Sequence, residues 1–195
     1  LFFQKIRCRR SIKNPLIKNK TVVLLLSAQF NFNVKKVAEM INCIASQFNV
    51  DILLKPHTRN NAISHDLISM IEAVVNIRFV YSSTAWLIDN SDVTIICGFT
   101  SVAIHSILVN KPVICAEYTK IPKEESYYSK FKSTCIADNL DDVVHHLDNI
   151  LHTDISCYSE PHVSNFLQFM VNPNNSNSVI NDHYDLMLKI IKNEV

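Results

Sequence analysis

Short apolar runs of four to six residues alternate along this chain with longer stretches in which apolar residues recur every three or four positions. The run Thr21–Leu26 is apolar after its first residue, so it predicts a strand buried on both faces, as in a parallel sheet. Val34, Val37, Ala38, Ile41, Ile44, Ala45 and Phe48 then follow helical spacing and predict an amphipathic helix. The same alternation continues. Strands are predicted at Val50–Leu54, Ile77–Tyr81, Val93–Cys97, Pro112–Ala116 and Thr134–Ala137. Between them lie a helix on Ile63, Leu67, Ile68, Ile71 and Val74, a short helix from Ser82, Ser83 or Thr84 to Asn90, and a helix on Val102, Ala103, Ile104, Ile107 and Leu108. Leu140–Leu151, His162–Val171 and Val179–Lys192 read as further helices, and Glu117–Lys132 as a long polar loop.

Some six strand–helix alternations predict an α/β domain: a doubly wound, Rossmann-like parallel sheet of about six strands with helices on both faces. The expected organisation is a basic leader or linker over residues 1–20 and one domain over residues 21–195. In such a sheet ligands bind outside the carboxyl ends of the strands. The loops after Leu54, Tyr81, Cys97 and Cys115 are therefore the places to look for chemistry.

Composition narrows the options. The 195 residues include a single glycine, where ordinary usage would give roughly 14. Neither glycine-rich phosphate loop can be written with one glycine, which excludes dinucleotide dehydrogenases and P-loop NTPases of the usual kind. Net charge is +1, which argues against a nucleic-acid partner, but the charge is uneven. Lys5, Arg7, Arg9, Arg10, Lys13, Lys18 and Lys20 crowd the first twenty residues, which hold no acid. That leader reads as a linker from a preceding domain or as a peripheral contact with an anionic membrane face. The six cysteines show no C-x-x-C pair, and no secretory signal is legible, so reduced thiols in a cytoplasmic protein are expected.

Two constellations carry candidate chemistry. Lys55-Pro56-His57-Thr58-Arg59 follows a buried strand, and its Lys, His and Arg suit an anionic ligand. Cys97-Gly98-Phe99-Thr100-Ser101 runs from the central strand towards a helix. Gly98 permits close backbone approach, and Thr100 or Ser101 can cap that helix, so amides and hydroxyls would converge on a phosphate. A stripe of Asp141, His145, Asp148 and His152 has spacing compatible with metal ligands but reads as the solvated side of an amphipathic helix, so no metal is expected.

The segments LLKPHTRN and NSDVTIICGFTSVAIHSILVNKPVICAEY resemble the C-terminal, donor-binding domain of GT-B glycosyltransferases. They are most similar to enzymes of capsule and teichoic-acid assembly such as CDP-glycerol glycerophosphotransferases and bacterial polysialyltransferases. The resemblance implies a nucleotide-activated donor, CMP-, CDP- or UDP-linked, as substrate and no permanently bound cofactor. By match, His57 and the Thr100–Ser101 pair would contact the donor's phosphates. Thr58 stands where the family has proline, and Gly98-Phe99 where it often has a serine-rich turn, which points to a different donor or a lost activity. The resemblance also implies an N-terminal acceptor domain, which this length cannot contain. Two rival readings stay open. One is a sugar-nucleotide 2-epimerase-like protein, for which Glu117 is the candidate cleft carboxylate; the other is a degenerate, non-catalytic binding domain.

Overall fold

The computed structural model describes residues 19–28, 31–57, 65–71, 76–98, 100–121, 126–153 and 160–171. The leader up to residue 18, Thr58, Arg59 and the expected helix Val179–Lys192 lie outside the described residues.

Six strands form one parallel sheet: β1 (Lys20–Leu26), β2 (Val50–Lys55), β3 (Ile77–Phe79), β4 (Val93–Cys97), β5 (Val113–Ala116) and β6 (Cys135–Ala137). Their order is β3-β2-β1-β4-β5-β6, with every pairing parallel. This is the doubly wound arrangement the apolar runs predict. β1 sits between β2 and β4, and Val22 to Leu26 are all buried. Alternate residues of that run serve different layers. Val22, Leu24 and Leu26 join helices α1 (Val34–Gln47), α2 (His65–Ile71) and α6 (Leu140–Thr153). Val23 and Leu25 join α3 (Thr84–Asp89), α4 (Ala103–Leu108), α5 (Tyr127–Phe131) and α7 (Glu160–Val171). A strand needed by both layers has no position to spare for a polar residue, which is why its sequence loses the usual alternation.

Helix α1 shows how local sequence sets an element. Val37, Ala38, Met40, Ile41 and Ile44 form its buried stripe, and the Asn33 side chain accepts from the Lys36 amide at 3.2 Å. Asn33→Ala removes that cap and should lower stability by about 1 kcal/mol in urea unfolding.

The expected loop Glu117–Lys132 is in part ordered helix. Glu117–Thr119 forms a 3-10 turn, and α5 starts where Ser126 accepts from the Ser129 amide and stops at Lys132 in the left-handed region, φ 49°. Tyr128 on α5 lies 5.3 Å from Phe166 on α7, so a short helix in a polar stretch is held by an aromatic contact distant in sequence. The thiols also depart in part from expectation. Cys43, Cys97 and Cys115 are free, whereas Cys135 is disulfide-bonded, with its partner outside the described residues. Among the described residues no helix is long and apolar enough to cross a membrane.

Candidate functional site

The strand order places a switch point between β1 and β4, where connections leave towards opposite layers. The loop after β1 and the turn after β4 flank it. They are tied directly: the Ser27 amide donates to the Cys97 carbonyl at 3.0 Å. Gly98 follows with φ +79°, a conformation that disfavours a Cβ. A Cβ there would lie 2.1 Å from Ser27 Oγ and 2.8 Å from the Asn31 carbonyl oxygen. The close approach that glycine permits on this side is thus an approach of the protein's own β1–α1 loop.

Thr100 and Ser101 do not cap α4 as expected. The helix begins at Ala103 with Val102 in the cap position and no side-chain cap. Thr100 Oγ1 instead accepts from the Val102 amide at 3.3 Å, closing a tight turn, and Ser101 is exposed. Tyr128 Oη donates to the Thr100 carbonyl at 2.8 Å, which fixes the turn to α5. With six residues, α4 offers little dipole, so any anion at this turn would rest on local amides and hydroxyls.

Lys55 ends β2 in register with Leu25 of β1, while Cys97 pairs with Leu26. One strand separates the two ends, which puts Lys55 and the Gly98 turn on the same rim about 10 Å apart. Lys55 is 7% exposed, and its ammonium donates to the Ser82 carbonyl at 2.8 Å. No carboxylate among the described residues pairs with it. Burial therefore pulls its pKa below the ordinary lysine value of 10.5. Pro56 is buried beside it and His57 is half-buried at the strand end. Arg59, the third member of the predicted set, lies outside the described residues.

Glu117 follows β5 on the same rim, but its carboxylate is already occupied. Lys120 Nζ lies 2.8 Å from Oε2, the Cys115 thiol donates to Oε1 at 3.1 Å, and the Ser126 hydroxyl donates to the same oxygen. Burial by itself would raise the Glu117 pKa, yet hydrogen bonds from Lys120, Ser126 and Cys115 prevail and hold it below the ordinary 4.5. A depressed carboxyl stabilises the fold above its unfolded value and loses that contribution as pH falls. We therefore expect wild-type thermal stability to drop below about pH 4.5 more steeply than that of Glu117→Gln, as calorimetric melts between pH 6 and 3 would show.

The segment carrying this network reaches back to the loop after β1. The Asn33 amide donates to the Thr119 carbonyl at 2.7 Å, the Ile121 amide to the Asn31 carbonyl at 3.1 Å, and Lys36 Nζ to the Tyr118 carbonyl at 2.9 Å. Phe32 and Lys120 form an antiparallel bridge. The strap falls outside the charged and hydroxyl clusters that mark candidate chemistry in the sequence, where its one legible signal is Asn31 and Asn33 in the turn after a buried strand. The stripe Asp141, His145, Asp148 and His152 is exposed, with His145 near Asn149 at 3.0 Å and His152 near Asp148 at 3.0 Å. Among the described residues no group of three or more His, Cys, Asp or Glu is arranged to hold a metal.

No protein-family model and no curated protein matches this sequence. Solved structures do. UDP-GlcNAc 2-epimerase from Neisseria meningitidis, bound to UDP-GlcNAc, superposes with TM-score 0.54 at 11% identity over 82% of this chain and 47% of that one. A trehalose-6-phosphate structure from E. coli bound with UDP-2-fluoro glucose gives TM-score 0.59 at 10% identity over 86% of this chain and 44% of its own. The C-terminal domain of a group 1 family glycosyl transferase (LpcC) from Francisella tularensis gives TM-score 0.50 at 9% identity, covering 80% of this chain and 87% of that domain. The chain spans less than half the length of the first two and most of the third. It is structurally similar to glycosyltransferase and UDP-GlcNAc 2-epimerase domains, and at these identities the likeness is one of fold.

Proposed function

We propose that this chain is the donor-binding half of a GT-B-like glycosyl- or polyol-phosphate transferase, holding the phosphates of a CMP-, CDP- or UDP-linked donor. The observation that carries the reading is Lys55, a lysine only 7% exposed at the carboxyl rim, whose part-buried ammonium has its hydrogen bond among the described residues to a neutral carbonyl. A cation left without a counter-charge in a buried setting is costly by itself, and a phosphate would supply that counter-charge. His57 and Arg59 follow it in sequence, and the Gly98 turn with Thr100 and Ser101 stands one strand away on the same rim. Together these groups would neutralise the leaving phosphate as its charge develops, which cationic side chains can do without a metal. The acceptor and its base would come from a second domain, as the share of the larger structures left uncovered suggests. A role in capsule or other surface-polysaccharide synthesis follows from the resemblance of the LLKPHTRN and ICGFTSVAIHS segments.

Titration calorimetry with CMP, CDP, UDP and GDP tests the reading. At least one should bind, and His57→Ala and Ser101→Ala should each weaken it about tenfold or more. Absence of binding by all four, or variants that bind as well as wild type, would sink it. The similarity to UDP-GlcNAc 2-epimerases keeps epimerisation of a UDP-sugar as the second reading. Glu117 gives that reading little help, since three donors already satisfy its carboxylate. Product analysis with UDP-sugars separates the two.

A further inference from the structure

Glu117 stands on the site rim without a free oxygen to offer a ligand, which raises the question of what its carboxylate does there. Its strongest contact is the ion pair with Lys120, both side chains being largely buried, at 12% and 7% exposed. Lys120 belongs to the antiparallel bridge with Phe32, and the flanking hydrogen bonds run from Asn33 to Thr119 and from Ile121 to Asn31. The Asn31 carbonyl in turn is one of the two groups that fill the space beside Gly98. A continuous set of packed contacts therefore leads from the carboxylate, through the strap, to the backbone of the turn after β4.

We propose that Glu117 is a positioning residue: its buried pair with Lys120 fixes the strap between the β5 and β1 loops, and the strap fixes the backbone at Gly98, where β4 ends, in the position that receives a phosphate. The inference rests on the reading of that turn as part of a nucleotide-donor site. It differs from a direct role because Glu117 then acts only through Lys120 and Asn31. A carboxylate touching the phosphate itself would repel it, whereas a carboxylate paired with Lys120 and bonded by two further donors presents little such charge. Geometry at a binding turn matters on this scale, since displacement by an ångström is enough to lose much of an interaction.

The full chain, Glu117→Gln, Lys120→Met and the double variant provide the test, each first checked for folding by circular dichroism. If Glu117→Gln does not fold, Lys120→Met carries the comparison alone. Calorimetric titration with CMP, CDP, UDP and GDP should show, for each nucleotide that wild type binds, each single change weakening binding about tenfold and the double change no worse than the worse single one. Amide hydrogen exchange without nucleotide should show the Asn33 and Ile121 amides exchanging about tenfold faster in the single variants. Additive losses in the double variant overturn the proposal, because Glu117 would then contact nucleotide independently of Lys120. Unchanged affinity, or unchanged exchange at the strap amides, overturns it too. A wild-type chain that binds none of CMP, CDP, UDP and GDP overturns the donor-site reading instead, and the exchange measurement then still decides whether Glu117 sets the strap.

Discussion

Gly98→Ala lowers the stability of the fold by about 3 kcal/mol, the sum of left-handed backbone strain and overpacking. The two costs have separate sources. At φ +79° an L side chain is strained wherever it points, and here the new methyl would sit 2.1 Å from Ser27 Oγ and 2.8 Å from the Asn31 carbonyl. Ser27 could turn its hydroxyl away. Asn31 cannot respond so easily, because its carbonyl also accepts from the Ile121 amide. Combining Gly98→Ala with Ser27→Gly should therefore recover only part of the loss, and chemical unfolding of the two variants measures the difference. A Gly98→Ala chain as stable as wild type would mean that the β1–α1 loop does not approach this turn as described.

Lys55→Met should move stability and ligand binding in opposite directions. The substitution removes a buried ammonium and keeps an apolar stem of similar length, so the free chain gains about 1 kcal/mol. Ser82, whose carbonyl loses its donor, is exposed and can bond to water. If Lys55 meets the donor phosphate, the same change weakens nucleotide binding by about 2–4 kcal/mol, roughly thirtyfold to a thousandfold. The pH dependence offers a second readout. A lysine whose pKa is lowered in the fold holds fewer protons there than in the unfolded chain between the lowered value and 10.5, so wild-type stability rises with pH across that interval. In Lys55→Met that rise should disappear. A variant that loses stability while binding nucleotide normally would mark Lys55 as a structural lysine.

The sheet was legible because its central strands have almost no polar positions to confuse the pattern: Val22–Leu26 has none, and Val93–Cys97 has only Thr94, itself fully buried, so both read as strands buried on both faces. Lys55 and His57 were legible as a rim cluster because a charged group directly after such a run must sit at the strand's end. Several features were not legible, each for a physical reason. Helix α5 is five residues long and is held by Tyr128 against Phe166, a contact 38 positions away that no local window contains. Glu117 was visible as a carboxylate on the rim, but its neutralisation depends on Lys120 and Ser126 folding back over it. Gly98 was seen as a place for a ligand to approach, and the partner that comes close is the loop beginning at Ser27, on the neighbouring strand. The Cys135 disulfide had no spacing signature at all.

The hydroxyl of Tyr128 joins two things usually considered apart. It bonds to the Thr100 carbonyl while its ring rests on Phe166, and Phe131 and Phe169 extend the same aromatic stack. The last described helix, α7, is therefore linked to the Thr100 turn through Tyr128, by way of the Phe166 ring. Where this domain ends is for that reason a question about the site: a boundary drawn after α6 would take away the Phe166 ring on which the tyrosine holding the Thr100 turn rests.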